Sequence, residues 1–288
     1  MNLIEWAQSP WGGQVPIHIS WSLLWVSAIG AVAFLIVHAL YVMISGKTAA
    51  RTAPSSEISS AEAARIPERV VRHSFGARFF HGIMALSMLA LLFTAFLPKV
   101  GYKFPWVTWH WIAGIVLTIS VLYHIIHASF VLDFWSIWPD AQDREDAKNR
   151  LTLAMGQSAP LPKKFAKYPL ENKLYHLVVM LAGLSVIGTG LFMMKRVRTP
   201  FFVRNPYLFS DMTWGWMYVL HGLAGIGFVG LVTVHIYFAI RPEKLFITKS
   251  MIFGTISREN YLEHHDPHRW AVTGEAPSVS SPAKKASA

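Results

Sequence analysis

The chain has 288 residues, of which 53% are apolar and only 15% are charged, and its mean hydropathy is +0.37. These values exceed those of an ordinary soluble domain, so a cytosolic or secreted enzyme is not expected. The sequence contains no cysteine, which excludes disulfides, thiolate metal sites, iron–sulfur clusters and covalently attached c-type haem.

Charged residues are absent from five long stretches of the chain. A helix of about 20 apolar residues crosses the hydrocarbon core of a bilayer, so each stretch predicts one membrane helix. The flank 1–20 has no Lys or Arg, and no small-residue cleavage pattern follows the first stretch. We therefore expect the first helix to be retained rather than removed as a signal peptide. The predicted helices lie at roughly 21–44, 79–97, 108–131, 174–194 and 216–240.

The distribution of Lys and Arg predicts the orientation, because basic flanks resist translocation. Segments 45–78, 132–173 and 241–288 hold 20 of the 26 basic residues, and the segments on the opposite side hold six. This predicts a multi-pass protein of the bacterial inner membrane with a periplasmic N-terminus and a cytoplasmic C-terminus. A basic face beside anionic lipid accounts for the net charge of +10, so no nucleic-acid partner is expected.

Four segments are predicted along the chain. Residues 1–46 form an N-terminal tail and an additional membrane helix, and 47–76 form a cytoplasmic linker of small, polar and charged residues. Residues 77–270 form the main membrane domain. Residues 271–288 are predicted to be a disordered cytoplasmic tail.

The spacing of two intramembrane histidines points to cofactor binding. His221 and His235 are 14 residues apart on one predicted helix, which places them on nearly the same face and about 21 Å apart along the axis. Ionisable side chains in a membrane usually face a partner or a cavity. Two imidazoles from opposite helices give haem iron a six-coordinate centre suited to electron transfer. Two such histidines on one helix therefore suggest two stacked haems.

Each haem needs a second histidine at matching depth. His110 opens the third stretch and suits His221. For His235, both His81 at the start of the second stretch and His124, which lies 14 residues after His110, are possible partners. Helix geometry permits either of them.

Several segments resemble one protein family. The run YVLHGLAGIGFVGLVTVHIYFAI followed by SMIFGTISRENYLEHHDPHRW resembles the end of the membrane cytochrome b (gamma) subunit of respiratory formate dehydrogenases, a family of di-haem cytochromes that hydrogenase cytochrome b subunits share. RFFHGIMALSMLALLFTAF, HWIAGI and KYPLENKLYH resemble earlier parts of that subunit in the same order. The resemblance covers about residues 76–270.

The resemblance implies an all-α integral membrane protein, a four-helix di-haem cytochrome b bundle with one additional N-terminal membrane helix. It implies two non-covalent b-type haems whose iron is held by His110 with His221 and by His81 with His235. His124 is then not a ligand. The sequence departs from the family in its extra helix and at Gly82, where an aromatic residue is usual.

The resemblance also implies a quinone site beside the inner haem. The family's Lys-Tyr loop contributes to that site, and this chain differs there by reading Pro-Leu-Glu-Asn at 169–172. Asn172 is expected to replace the usual Gln, with His176 close by in the next helical turn. The roles of His124 and His127 stay open between proton transfer and structure.

The implied function is to anchor a periplasmic dehydrogenase and pass its electrons to menaquinone or ubiquinone. The expected partners are a molybdenum or tungsten catalytic subunit and an iron–sulfur subunit, with formate dehydrogenase as the first candidate. The alternative is the cytochrome b subunit of a hydrogenase or of another molybdoenzyme. A histidine-bearing transporter is less favoured, because the apolar stretches contain no acidic residue.

Overall fold

A computed structural model describes residues 2–44 and 60–272. Over these residues the fold is almost wholly helical, and five helices are long and apolar enough to cross a membrane, which confirms the predicted all-α membrane architecture. The helices are α1 (Ser22–Ile44), α2 (Ser60–Arg65), α3 (Phe75–Phe96), α4 (Trp106–Phe130), α5 (Ala141–Ala154), α6 (Leu170–Met193), α7 (Asp211–Ile240), α8 (Leu245–Phe253) and α9 (Arg258–His264).

The four helices α3, α4, α6 and α7 form a bundle of two layers. α3 packs along α4, and α6 packs along α7, whereas α3 meets α7 and α4 meets α6 over much shorter stretches. A slot therefore separates the α3/α4 layer from the α6/α7 layer. Most of the apolar surface of these helices faces outward and is exposed, as expected of a bundle surrounded by lipid.

The N-terminal segment forms a β-hairpin that the sequence analysis did not predict. Strands β1 (Ile4–Gln8) and β2 (Gln14–Ile19) pair antiparallel, and β2 packs on α7. The approach is very close, because a Cβ on Gly215 would lie 2.0 Å from the carbonyl oxygen of Pro16. We call this end of the bundle the hairpin end.

Helix α1 adds to the bundle mainly by packing along α7. The Ser27 hydroxyl donates to the Ile226 carbonyl oxygen at 2.9 Å. Nearer the other end of the membrane, His38 Nδ1 lies 3.0 Å from the Tyr237 hydroxyl. These polar contacts fix the extra helix against the outer surface of α7, away from the slot.

The opposite end, here called the basic end, carries a small folded cap. Strands β3 (Arg69–Val71) and β4 (Thr255–Ser257) pair antiparallel, and a core of Ile66, Val70, Ile256 and Tyr261 forms beneath them. Part of the predicted linker is therefore packed structure, because Val70 is fully buried in one cluster with Ile256 and Tyr261. Residues 47–59 of that linker and residues 273–288 of the predicted disordered tail lie outside the described residues.

Candidate functional site

Two histidines face each other across the slot near the hairpin end. His110 lies in the second turn of α4 and His221 in the third turn of α7. Their ring centroids are 6.1 Å apart, and the ring planes are inclined by 68°. The structure thus brings together the pair that the spacing predicted at this depth.

A threonine on a neighbouring helix fixes each of these rings. The Thr94 hydroxyl donates to the Ala90 carbonyl oxygen at 2.7 Å and lies 2.9 Å from His110 Nδ1. Because the hydroxyl proton is used by the backbone, its oxygen accepts from Nδ1–H, and this leaves Nε2 as the unprotonated ring nitrogen.

His221 has the equivalent arrangement on α6. Thr189 donates to the Ser185 carbonyl oxygen at 2.6 Å, and its oxygen lies 2.9 Å from His221 Nδ1. Gly190 makes room for the ring, since a Cβ there would lie 3.3 Å from His221 Cε1. The sequence analysis missed Thr94 and Thr189. The sequence does carry a signal for them, because each is a hydroxyl residue in an apolar helix at the depth of an outer histidine on the neighbouring helix.

A second pair lies at the depth of the basic end. The rings of His81 on α3 and His235 on α7 have centroids 6.3 Å apart and planes inclined by 47°. Tyr175 on α6 stacks on His235 at 5.3 Å, and its hydroxyl donates to the Leu231 carbonyl oxygen at 3.1 Å. Sequence reasoning did not single out Tyr175.

His124 does not pair with His235 in the structure. Its ring lies 6.4 Å from that of His176 on α6, with an inclination of 81°, and stacks on Phe80 at 4.1 Å. The Nδ1 atom of His124 is buried and has no hydrogen-bond partner among the described residues. A third histidine pair therefore spans the slot at the same depth as the second, on the α4/α6 side.

The start of α6 presents Asn172 and Lys173 in very different surroundings. Asn172 is exposed, and its backbone N–H donates to the Pro169 carbonyl oxygen at 3.1 Å. Lys173 is 1% exposed and lies 2.5 Å from Asp143 of α5 through Nζ. Lys173 is thus engaged in an ion pair, whereas the Asn172 side chain is accessible one turn before His176.

The ion pair of Lys173 belongs to a larger network at the basic end. Arg269 donates to both Asp140 and Asp143 at 2.9–3.2 Å, which ties the C-terminal segment to α5. Burial alone would raise the pKa of Asp140, but hydrogen bonds from the Asp143 amide and from Arg269, with the nearby Lys173 charge, hold it below its ordinary value. The network fixes the loop before α6, and with it the start of that helix.

Comparison with known proteins gives one family. The family described as prokaryotic cytochrome b561 matches residues 72–254, which is more than half of the chain and includes α3, α4, α6, α7 and α8. No curated protein matches the chain. The matched region contains all three histidine pairs that span the slot.

Proposed function

We propose, from the premise that this chain belongs to the prokaryotic cytochrome b561 family, that it carries electrons across the membrane from a dehydrogenase on the hairpin side to a quinone on the basic side. Membership makes the chain a membrane cytochrome b with b-type haem. Beyond family membership, we propose how many haems the chain binds and which residues ligate them. We also propose the quinone acceptor and the electron donor.

The histidine geometry fits haem ligation. A metal–imidazole bond is about 2 Å long, so two rings on opposite sides of one iron have centroids about 6 Å apart. The separations of 6.1 Å for His110 with His221 and 6.3 Å for His81 with His235 meet this requirement. At the hairpin end, the threonine contacts hold the proton on Nδ1 of both rings, so Nε2 of each ring is free to bind a metal.

We assign two haems, one to each of these pairs. The bound haems supply one-electron redox centres near the two membrane surfaces. Thr94 and Thr189 hold the outer imidazoles in one tautomer and orientation, as partners of metal-bound histidine generally do. Tyr175 holds the face of His235 at the inner pair.

The His124–His176 separation of 6.4 Å also permits a metal, so distance alone does not assign a role to this pair. We place the quinone on its side of the slot, because His176 follows Tyr175, which stacks on His235. His176 and His124 offer polar atoms for the quinone carbonyls. We assign Asn172, which is exposed one turn earlier on α6, to the same site.

The excess of basic residues at the basic end supports a cytoplasmic location for that end and a periplasmic location for the hairpin. The donor is then a periplasmic complex with an iron–sulfur subunit and a molybdenum or tungsten subunit. The resemblance of the α6 and α7 segments to the formate dehydrogenase gamma subunit supports formate as the primary substrate of that complex. A nickel-containing hydrogenase is the competing donor.

The haem content of the purified chain tests the cytochrome assignment. Pyridine haemochrome analysis should give two b-type haems per polypeptide, and a value of one or zero would contradict the proposal. Three haems, with one lost in His124→Ala, would instead make His124 and His176 a further ligand pair. His38→Ala is the matched control, because this intramembrane histidine lies outside the slot.

Two further measurements test the acceptor and the donor. A short-chain quinol added to the oxidised chain should reduce the haems, and His176→Ala should slow this reaction while both haems stay bound. A tagged chain purified with its native complex should carry molybdenum or tungsten, whereas nickel would identify a hydrogenase. Failure of the quinol to reduce any haem would refute the quinone site.

A further inference from the structure

Arg72 is a buried cation at the basic end of the bundle. It is 2% exposed, and its Nε atom has no hydrogen-bond partner in the part of the chain that the structure describes. Its Nη1 lies 3.1 Å from His265 Nε2, and its guanidinium carbon lies 5.5 Å from the Tyr168 ring centroid and 5.8 Å from that of Trp270. Among the described residues, no carboxylate lies within ion-pair distance of Arg72.

His265 does not supply the missing charge. Its Nδ1 donates to the Ala166 carbonyl oxygen at 2.7 Å, so its Nε2 accepts from the guanidinium and the ring is neutral. Burial, and then the charge of Arg72, lower the pKa of His265 to about 3. Burial also lowers the pKa of Arg72, but only to about 10, so the guanidinium stays charged at neutral pH.

More cationic side chains surround Arg72. Lys167 and Arg78 both act electrostatically on His73. The pKa of His73 is lowered to about 3, first by burial and then by the charges of Arg72, Lys167 and Arg78. We call Arg72, His73, Arg78 and Lys167 the Arg72 cluster. Asp133 acts electrostatically on Lys167, but no carboxylate among the described residues forms an ion pair with Arg72. A buried charge is tolerated when it is paired, so Arg72 is the member of the cluster that is suited to an added anion.

The cluster lies beside the inner histidine pair. Arg78 of the cluster lies on α3 three residues, less than one helical turn, before His81, and His73 lies within electrostatic reach of His81. His81 lies about 9 Å along α3 from Phe75, the first residue of that helix. The N–H groups of Arg72 and His73 both donate to the Gly254 carbonyl oxygen, which fixes this part of the cluster against the end of α8.

We propose that the Arg72 cluster binds the propionate carboxylates of the inner haem, an inference that rests on the proposed ligation by His81 and His235. A guanidinium holds a carboxylate through two parallel hydrogen bonds, and the unpartnered Nε supplies one donor. A cation beside the propionates disfavours the oxidised, more positive iron. Arg72 therefore raises the midpoint potential of the inner haem.

Potentiometric titration of the purified two-haem protein tests this inference. Arg72→Gln should make the inner haem at least tenfold harder to reduce, a fall of about 59 mV in its midpoint potential, and leave the outer haem unchanged. Arg72→Lys should retain part of the effect. Arg258→Gln is the matched control, because Arg258 also lies at the basic end with a buried, unpartnered Nε. An unchanged inner potential in Arg72→Gln would overturn the inference.

The phosphate of an anionic lipid is the other source of a suitable anion. Reconstitution with haem dimethyl ester, which lacks free carboxylates, should abolish the difference between wild type and Arg72→Gln. A difference that persists with the ester, or that appears only in nanodiscs containing phosphatidylglycerol, would overturn the propionate assignment. If Arg72→Gln does not fold, Lys167→Gln should give a smaller fall in the same potential, and no fall would refute the inference.

These outcomes separate the inference from the proposed function. A wild-type chain with two haems and an unresponsive inner potential would contradict only the role of the Arg72 cluster. A wild-type chain with fewer than two haems would contradict the ligand assignment itself.

Discussion

Replacing Thr189 by Val should weaken the outer haem selectively. The change removes the hydroxyl that accepts from His221 Nδ1 at 2.9 Å, keeps nearly the same volume and leaves the Nδ1–H of a half-buried ring without this partner. An unsatisfied buried donor costs about 1–3 kcal/mol. Loss of the hydrogen bond to a metal-bound histidine lowers affinity about 10- to 100-fold, which corresponds to about 1.4–2.7 kcal/mol. The two estimates agree.

The measurement is a haem-transfer titration, in which purified protein loses haem to an excess of apomyoglobin and the two haems are followed by their spectra. In Thr189→Val the outer haem should be lost at an apomyoglobin concentration about 10- to 100-fold lower than in the wild type. The inner haem should behave as in the wild type. Thr118→Val is the control, because the Thr118 hydroxyl also donates to a carbonyl oxygen four residues earlier, at 2.7 Å, but contacts no histidine ring. Equal effects in the two variants, or no effect in Thr189→Val, would refute the orienting role.

Three further predictions concern the ligands and the basic end. His221→Ala should remove the outer haem and leave the inner one, and a redox titration that still shows both would refute the pairing. His81→Ala should abolish the inner haem and quinone reduction, whereas His124→Ala should keep two haems; the reverse pattern would transfer the ligand role to His124. Lys173→Met removes one of the two cations that pair with the buried Asp143 carboxylate and leaves Arg269 as the other, so it should destabilise the protein by about 1.5–3 kcal/mol, seen as a lower unfolding temperature. Lys163→Met, which changes an exposed lysine, should have little effect.

The membrane helices could be predicted from the sequence because exclusion of charge from the hydrocarbon core is a strong and local signal. Each of the five predicted stretches coincides with a long helix of the structure and ends within one residue of it, although α3, α6 and α7 begin several residues earlier than predicted. The early starts follow from their N-terminal turns, which extend beyond the apolar stretch. Ser74 and Ser210, for example, cap α3 and α7 by accepting from amides three residues later.

The N-terminal hairpin could not be predicted in the same way. Its strands are short, and their position depends on the close approach of Pro16 to Gly215, two residues about 200 positions apart in the chain. Gly215 had no distinguishing feature among the glycines of apolar helices. The pairing of Arg69–Val71 with Thr255–Ser257 is equally non-local and has few residues to carry a signal.

The histidine pairs show the same division between local and non-local information. The 14-residue interval of His221 and His235 follows from one helix and is visible in the sequence. The choice between His81 and His124 depends on which helices face each other, and periodicity alone favours His124. The structure places His81 beside His235, and His124 beside His176.

The two-layer packing explains why three histidine pairs occur in one bundle. Each pair joins a histidine of the α3/α4 layer to one of the α6/α7 layer, and in every pair the ring centroids are 6.1–6.4 Å apart. A flat cofactor fits between layers whose helices pack closely within each layer and loosely between them. At the depth of the basic end, two pairs flank one slot side by side, so a haem on His81 and His235 leaves the His124–His176 side next to its edge. An acceptor bound on that side would lie close to the haem that reduces it.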